Sequence, residues 1–234
     1  RIPVFYEPKQ SYVKWNKYIK SITGSYDDTQ TLQEAFGNIF ANHYETKKLL
    51  YIYGDRDSGK STFFNIMMNF LSGHYSTLNL YQCGEKFTNA QLFGKRANIL
   101  SDVSNKIPVK NFSIIKSLTG GDGLTVQQKH KDPFIFYNNA KLFFNSNGIP
   151  SMNMKAVDDA FLRRFQFMKF PNSFTPDETI FQTYTTPKMK TEILNWMIEG
   201  YQRLKDNKWK FTNNNTVEDV KEILLQGNID SDSF

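Results

Sequence analysis

The segment Gly54-Asp55-Arg56-Asp57-Ser58-Gly59-Lys60-Ser61 fits the spacing G-x-x-x-x-G-K-[ST]. These residue types at this spacing suit a cradle for a polyphosphate. The glycines let backbone N–H groups fold around an anion at a helix N-terminus, where unpaired donors and the helix dipole favour negative charge. Lys60 would reach the β- and γ-phosphates, the Ser61 hydroxyl would ligate Mg²⁺, and Asp57, Ser58, Gly59 and Thr62 would complete the binding loop begun at Gly54.

Hydrolysis of a bound nucleotide needs an acid at a strand end, a polar side chain to orient water, and positive charge for the γ-phosphate. Three positions supply these types. Asp102 ends the apolar run ANILS at 97–101 and suits Mg²⁺ and water, although an Asp there also serves as a turn-former or cap. Asn147 follows the run KLFFN at 141–145 and either orients water or opens a turn with Gly148. Arg163 and Arg164, just before FQFMKF at 165–170, are either a surface ion-pairing feature or an arginine finger.

Elements must hold these groups in place. LLYIY at 49–53 reads as the strand that delivers the phosphate loop, and Phe63, Phe64, Met67, Phe70 and Leu71 follow at helical spacing. Further strands are expected at 78–82 (LNLYQ), 97–101, 141–145 and 165–170, alternating with helix or loop as in an α/β sheet. Before them, Leu32, Phe36, Ile39 and Phe40 predict an amphipathic helix over 31–45 with Thr31 and Glu34 as a capping box. After them, Ile193, Leu194, Met197, Ile198, Tyr201 and Leu204 predict a second helix, and a third is expected from 216 to 225, stopping at Gly227. The chain thus divides into an N-terminal helical segment (1–46), a core (47–174) and a C-terminal helical subdomain (175–234).

With 234 residues, 39% hydrophobic and 15% aromatic, the chain can bury a substantial core and is not a disordered polymer. A lone cysteine, Cys83, excludes an internal disulfide and a multi-cysteine zinc site, and it reads as a small buried hydrophobe. His43, His74 and His130 have no ligand spacing. The uncharged stretch 61–83 carries Asn65, Asn69, Ser72, His74 and Gln82, so no membrane association is expected. The opening RIPVFYEPKQ lacks an initiator Met and a signal core, which reads as a segment of a larger protein. Within a net charge of +6, residues 95–131 hold seven Lys or Arg against two acids. Such an excess is either a solvated face or a polyanion contact.

In order and setting these motifs resemble the superfamily 3 helicases, specifically the C-terminal helicase module of poxvirus, phage and plasmid type primase-helicases. The matching stretches are TLQEAFGNIF, GDRDSGKST, FGKRANILSDVSN, IIKSLTGGDGLTVQQKHKDPFIF, AKLFFNSNGIP, DDAFLRRFQFMKFP and ILNWMIEGYQRL. The resemblance implies an AAA+ type α/β fold, a P-loop core with a central, mainly parallel sheet flanked by N-terminal helices and a small C-terminal helical subdomain. It implies ATP and Mg²⁺ as cofactors, Asp102 as the acid acting with Mg²⁺ and water, and Asn147 as the sensor for the γ-phosphate. Arg164, with Arg163 as the close alternative, takes the place of the finger that enters a neighbouring subunit's ATP site. That implies a ring, usually a hexamer. The segment 116–136 resembles the motif whose hairpin grips single-stranded DNA, with Lys129, His130 and Lys131 on phosphates.

The function implied is an ATP-dependent DNA helicase or translocase acting on single-stranded or forked DNA, with an upstream primase or other replication domain and a cytoplasmic setting, in a prokaryotic host or at a viral replication site. Alternatives that use the same motifs are a packaging or remodelling ATPase that never separates strands, and a non-enzymatic loader ring. The sequence departs from the family in offering one Asp at its second motif, and in carrying Asp55 and Asp57 within the phosphate loop, where relatives have neutral or small residues.

Overall fold

The structure, a computed structural model, describes residues 4–8, 11–85, 87–104, 109 and 111–231. Asn105 of the second acidic motif, and Lys106 and Lys110 of the basic segment, lie outside the described residues. The strands are β1 (Leu49–Tyr53), β2 (Tyr75–Ser76), β3 (Ala97–Leu100), β4 (Gly123–Val126), β5 (Phe134–Tyr137), β6 (Lys141–Ser146) and β7 (Phe165–Lys169). The helices are α1 (Val13–Ile22), α2 (Tyr26–Gly37), α3 (Lys60–Leu71), α4 (Phe112–Gly120), α5 (Asp159–Leu162), α6 (Thr179–Tyr184), α7 (Pro187–Asp206) and α8 (Val217–Ser231). Five strands form one parallel sheet in the order β2-β3-β6-β1-β7, and β4 and β5 form a separate antiparallel hairpin.

A parallel sheet is covered on both faces, so its strands read as apolar runs rather than alternating ones. On one face Leu50, Ile52, Ile99, Phe143 and Met168 pack with Trp15, Phe36, Phe63, Phe64 and Trp196 from α1, α2, α3 and α7. On the other, Leu49, Tyr51, Leu142, Phe144, Phe165 and Phe167 pack with Ile115, Phe161, Val220 and Leu224 from α4, α5 and α8. Each fully buried ring of this kind stabilises the fold by roughly 1.5–3 kcal/mol. Helices α6 and α7 therefore join the N-terminal helices on one face, whereas α8 covers the opposite one.

Several local expectations are corrected. The segment 78–82 is not a strand: Leu80–Gln82 form a 3-10 turn. The Asn98 carboxamide takes both backbone groups of Leu78, accepting its N–H at 2.6 Å and donating to its carbonyl at 3.0 Å, which removes Leu78 from the ladder. The short β2 supplies the sheet edge instead.

Helix α2 starts five residues before Thr31, with Ser25 as its N-cap accepting the Asp28 N–H at 3.1 Å. Thr31 and Glu34 are not a capping box. Glu34 is fully buried, bound to Arg203 Nε at 2.7 Å and to the Thr212 N–H at 2.8 Å, while the Thr31 hydroxyl accepts the Asn213 N–H at 2.8 Å. Glu34 ties α2 to α7, and both side chains tie it to the connection between α7 and α8. Helix α8 does not stop at Gly227 but runs through it.

Candidate functional site

In an open parallel sheet, ligands collect beyond the C-terminal ends of the strands. Three sequence-predicted groups lie there, on neighbouring strands: the phosphate loop after β1, Asn147 after β6 and Asp102 after β3. At about 4.8 Å between adjacent strands, they fall within about 10 Å of one another across the sheet.

The loop has the geometry that its glycines require. Gly54 has φ +156, and a Cβ on it would lie 2.3 Å from the Phe170 carbonyl oxygen; Gly59 has φ +84. A side chain at either position is excluded or strained. Ser58 is buried and its hydroxyl donates to the Asp55 carbonyl at 2.9 Å. Lys60 is buried at the first turn of α3, and its ammonium donates to the carbonyls of Gly54 at 2.8 Å and Asp55 at 2.7 Å and to Ser58 Oγ at 2.9 Å. Burial lowers its pKa, while the carboxylates of Asp55, Asp102 and Asp57 act against that shift. The electrostatic pull of Asp102 on Lys60 links the second acidic motif to the phosphate loop. Asp55, Arg56 and Asp57 are all exposed, with Asp57 also lining a cavity beside the loop.

Asp102 is exposed, with φ +58. A left-handed Asp must be held there. The holder is Asn145, given no role beyond its strand in the sequence reading: its Oδ1 accepts the Asp102 N–H at 3.0 Å, its Nδ2 donates to Ser101 Oγ at 3.2 Å, and its carbonyl accepts the Val103 N–H at 2.8 Å. Asn147 stands exposed in the turn after β6. Behind it the buried Tyr51 hydroxyl donates to Ser146 Oγ at 2.9 Å, and Ser146 Oγ accepts the Gly148 N–H at 3.2 Å. Burial pushes the Tyr51 pKa well above the usual phenol range, so it stays a donor.

Ser61 at the start of α3 and Asp102 present a hydroxyl and a carboxylate, both hard oxygen donors of the kind Mg²⁺ takes together with substrate phosphates. Among the described residues no cluster of three His, Cys, Asp or Glu forms a metal site by itself. Beside the loop a cavity of about 480 Å³ is lined by Tyr18, Ile22, Gly59, Thr62, Phe174 and Ile180. Gly59 and Thr62 were read from the sequence as part of the binding loop, whereas the walls from α1, α6 and the segment after β7 were not.

Arg164 lies elsewhere. Its carbonyl accepts the Leu49 N–H at 2.7 Å, which sets it at the N-terminal end of β1 and β7. Five residues of strand separate it from Gly54, about 16 Å at 3.3 Å per residue. The arginine is half-buried, its Nε is buried with no hydrogen-bond partner among the described residues, and burial lowers its pKa against the pull of Asp122, Asp158 and Tyr44. Arg163 is exposed.

The segment 116–136 contains the β4/β5 hairpin, which packs Val126 and Phe136 inward. Lys129, His130 and Lys131 are exposed at its tip, where His130 has φ +62 and the Lys131 N–H closes the turn on the Gln128 carbonyl at 3.1 Å.

A family model described as a family of unknown function, DUF5906, matches residues 52–164, from the end of β1 to Arg164. No curated protein matches the chain. Two solved apo structures of the NrS-1 C-terminal region share its architecture, each with a TM-score of 0.68, at 16% and 15% identity, covering 97% of this chain and 53% and 54% of theirs. A third, also of that region, gives a TM-score of 0.60 at 17% identity over 97% of this chain and 53% of the other. The chain therefore spans about half the length of these relatives. The five-stranded parallel sheet, its covering helices and the phosphate loop make this a P-loop α/β fold with the architecture of the NrS-1 C-terminal region. Among the described residues no helix is long and apolar enough to cross a membrane.

Proposed function

We propose that the chain is the motor core of an ATP-dependent DNA helicase or translocase that hydrolyses ATP between copies of itself. The observation that carries this reading is the placement of its charges at opposite ends of one sheet. Lys60, Asp102 and Asn147 gather beyond the C-terminal ends of the strands, whereas Arg164 sits at the N-terminal end, about 16 Å from its own phosphate loop. An arginine so placed serves a neighbour's nucleotide, and head-to-tail contacts of that kind close into a ring, with a hexamer as the family's usual size.

In this reading the triphosphate lies on residues 54–62, with Lys60 on the β- and γ-phosphates and the nucleoside in the cavity between Ile22 and Phe174. Ser61 and Asp102 would hold Mg²⁺, which neutralises phosphate charge when bound. Asp102 and Asn147 orient the attacking water, and Arg164 of the adjacent copy stabilises charge on the transferring phosphoryl group, with Arg163 the alternative. Lys129, His130 and Lys131 contact the backbone of single-stranded DNA, which makes binding salt-dependent and largely independent of sequence. A primase or other replication domain in the full-length protein and a cytoplasmic replication site complete the reading.

The test is phosphate release with Mg-ATP, with and without single-stranded DNA, across a salt series. Stimulation that fades with salt supports a DNA-coupled motor; turnover that DNA leaves unchanged contradicts it.

A further inference from the structure

Helix α8 continues through Gly227 although glycine is unfavourable inside a helix. The reason lies across the contact: a Cβ on Gly227 would fall 2.4 Å from Cβ of Ile149 and 2.8 and 3.0 Å from its Cγ2 and Cγ1. Ile149 belongs to the same short turn as Asn147. On the strand side that turn is held by Ser146, whose hydroxyl donates to the Gly148 carbonyl and receives the Tyr51 hydroxyl. Asn147 therefore lies between two restraints, the Ser146 hydroxyl on one side and the face of α8 on the other.

The helix is the firmer partner. Val217, Val220 and Leu224 are buried against Phe161, Leu162 and Phe165, and the Lys221 ammonium pairs with Asp159 Oδ1 at 2.9 Å. Ile149 is only half-buried. A side chain added at Gly227 would displace the turn before it displaced the helix.

We propose that Gly227 is a positioning residue for Asn147: its missing side chain lets α8 seat Ile149 and thereby fixes where the Asn147 carboxamide meets the terminal phosphate. This rests on the reading of Asn147 given above. Interior packing transmits such shifts because it leaves no slack to absorb an extra methyl group.

The experiment compares Gly227→Ala, Ile149→Gly, Asn147→Ala and the two double variants that contain Gly227→Ala, in the full chain. Three readouts are taken: the affinity ratio for a non-hydrolysed ATP analogue over ADP, kcat, and the melting temperature. Gly227→Ala is expected to leave ADP affinity within about twofold while cutting the analogue-over-ADP ratio and kcat about tenfold each. With glycine at 149 as well, Gly227→Ala is expected to cause no further loss relative to Ile149→Gly alone, because only removal of the Ile149 Cβ makes room for the new methyl group. On the Asn147→Ala background, Gly227→Ala is expected to add nothing, since both act through one group.

An unchanged analogue-over-ADP ratio in Gly227→Ala, full additivity with Asn147→Ala, or a further loss when Gly227→Ala is added to Ile149→Gly overturns the proposal. So does a raised melting temperature, the result for a glycine with nothing against it. If Gly227→Ala alone does not fold, the pair Gly227→Ala/Ile149→Gly is measured against Ile149→Gly; equal ratios in those two support the proposal and unequal ratios overturn it. A wild-type ratio in Asn147→Ala would remove the sensor reading itself, and with it this inference.

Discussion

The Asn145 carboxamide oxygen accepts the backbone N–H of Asp102 at 3.0 Å, so a buried residue of one strand fixes the left-handed backbone that presents the acid of the next. Replacing Asn145 with Ala leaves that N–H and the Ser101 hydroxyl without their partner. The expected cost is about 1–3 kcal/mol of stability, read as a lower denaturation midpoint at constant m-value. Turnover should fall at least tenfold with little change in nucleotide affinity, because the acid is misplaced while the phosphate loop is untouched.

Lys60 combines burial with three acceptors from its own loop. Lys60→Ala should abolish turnover and weaken binding of triphosphates more than that of nucleosides. Fluorescent-nucleotide titration separates the two, and equal loss for both would place the effect on folding of the loop.

At the hairpin tip, Lys129→Ala with Lys131→Ala should remove stimulation by single-stranded DNA and keep basal hydrolysis. Removing two phosphate contacts should lower the slope of log affinity against log salt by about 1.4. A loss of basal hydrolysis instead would tie this segment to the nucleotide. A forked-duplex assay then distinguishes strand separation from packaging or remodelling.

Lys141 is a buried amine with no carboxylate partner among the described residues. Its ammonium donates to the carbonyls of His43 at 2.7 Å, Asn139 at 3.0 Å and Ala41 at 3.3 Å, and lies 4.7 Å from the Tyr44 ring centroid. Burial, with Arg96 nearby, lowers its pKa to about 7. A base depressed in the folded state binds fewer protons there than in the unfolded chain, so stability should rise as pH rises above 7. The slope is at most about 1.4 kcal/mol per pH unit for one group. Lys48, lowered to about 8 by burial, adds a smaller rise that grows towards and above pH 8. Urea midpoints between pH 7 and 8 should therefore climb in the wild type and climb much less in Lys141→Met, where Lys48 alone remains.

The phosphate loop was legible because its chemistry is local: eight consecutive residues and two flanking elements carry it. The strands at 49–53, 97–101, 141–145 and 165–170 were legible for the related reason that burial on both faces leaves continuous apolar runs. Legibility ended where a side chain's partner is remote. Glu34 resembled a capping residue until its bond to Arg203, 169 positions away, took that role from it. Asn145 holds Asp102 from 43 positions away, and no local pattern marks it. Gly227 looked like a helix stop because its true neighbour, Ile149, is a tertiary one. Helix α1 did leave a signal, Trp15, Tyr18, Ile19 and Ile22 at one helical face, which the opening segment's lack of a cap obscured.

The central claim is that each nucleotide is hydrolysed between two copies of the chain, and subunit mixing tests it most directly. Lys60→Ala and Arg164→Ala proteins, each inactive alone, are combined at equal concentration and assayed for phosphate release. A trans-acting Arg164 predicts recovery, since about one interface in four then joins an intact phosphate loop to an intact arginine in a randomly mixed ring. Mixtures in which both proteins are shown to co-assemble, yet which stay as inactive as their components, would contradict the account.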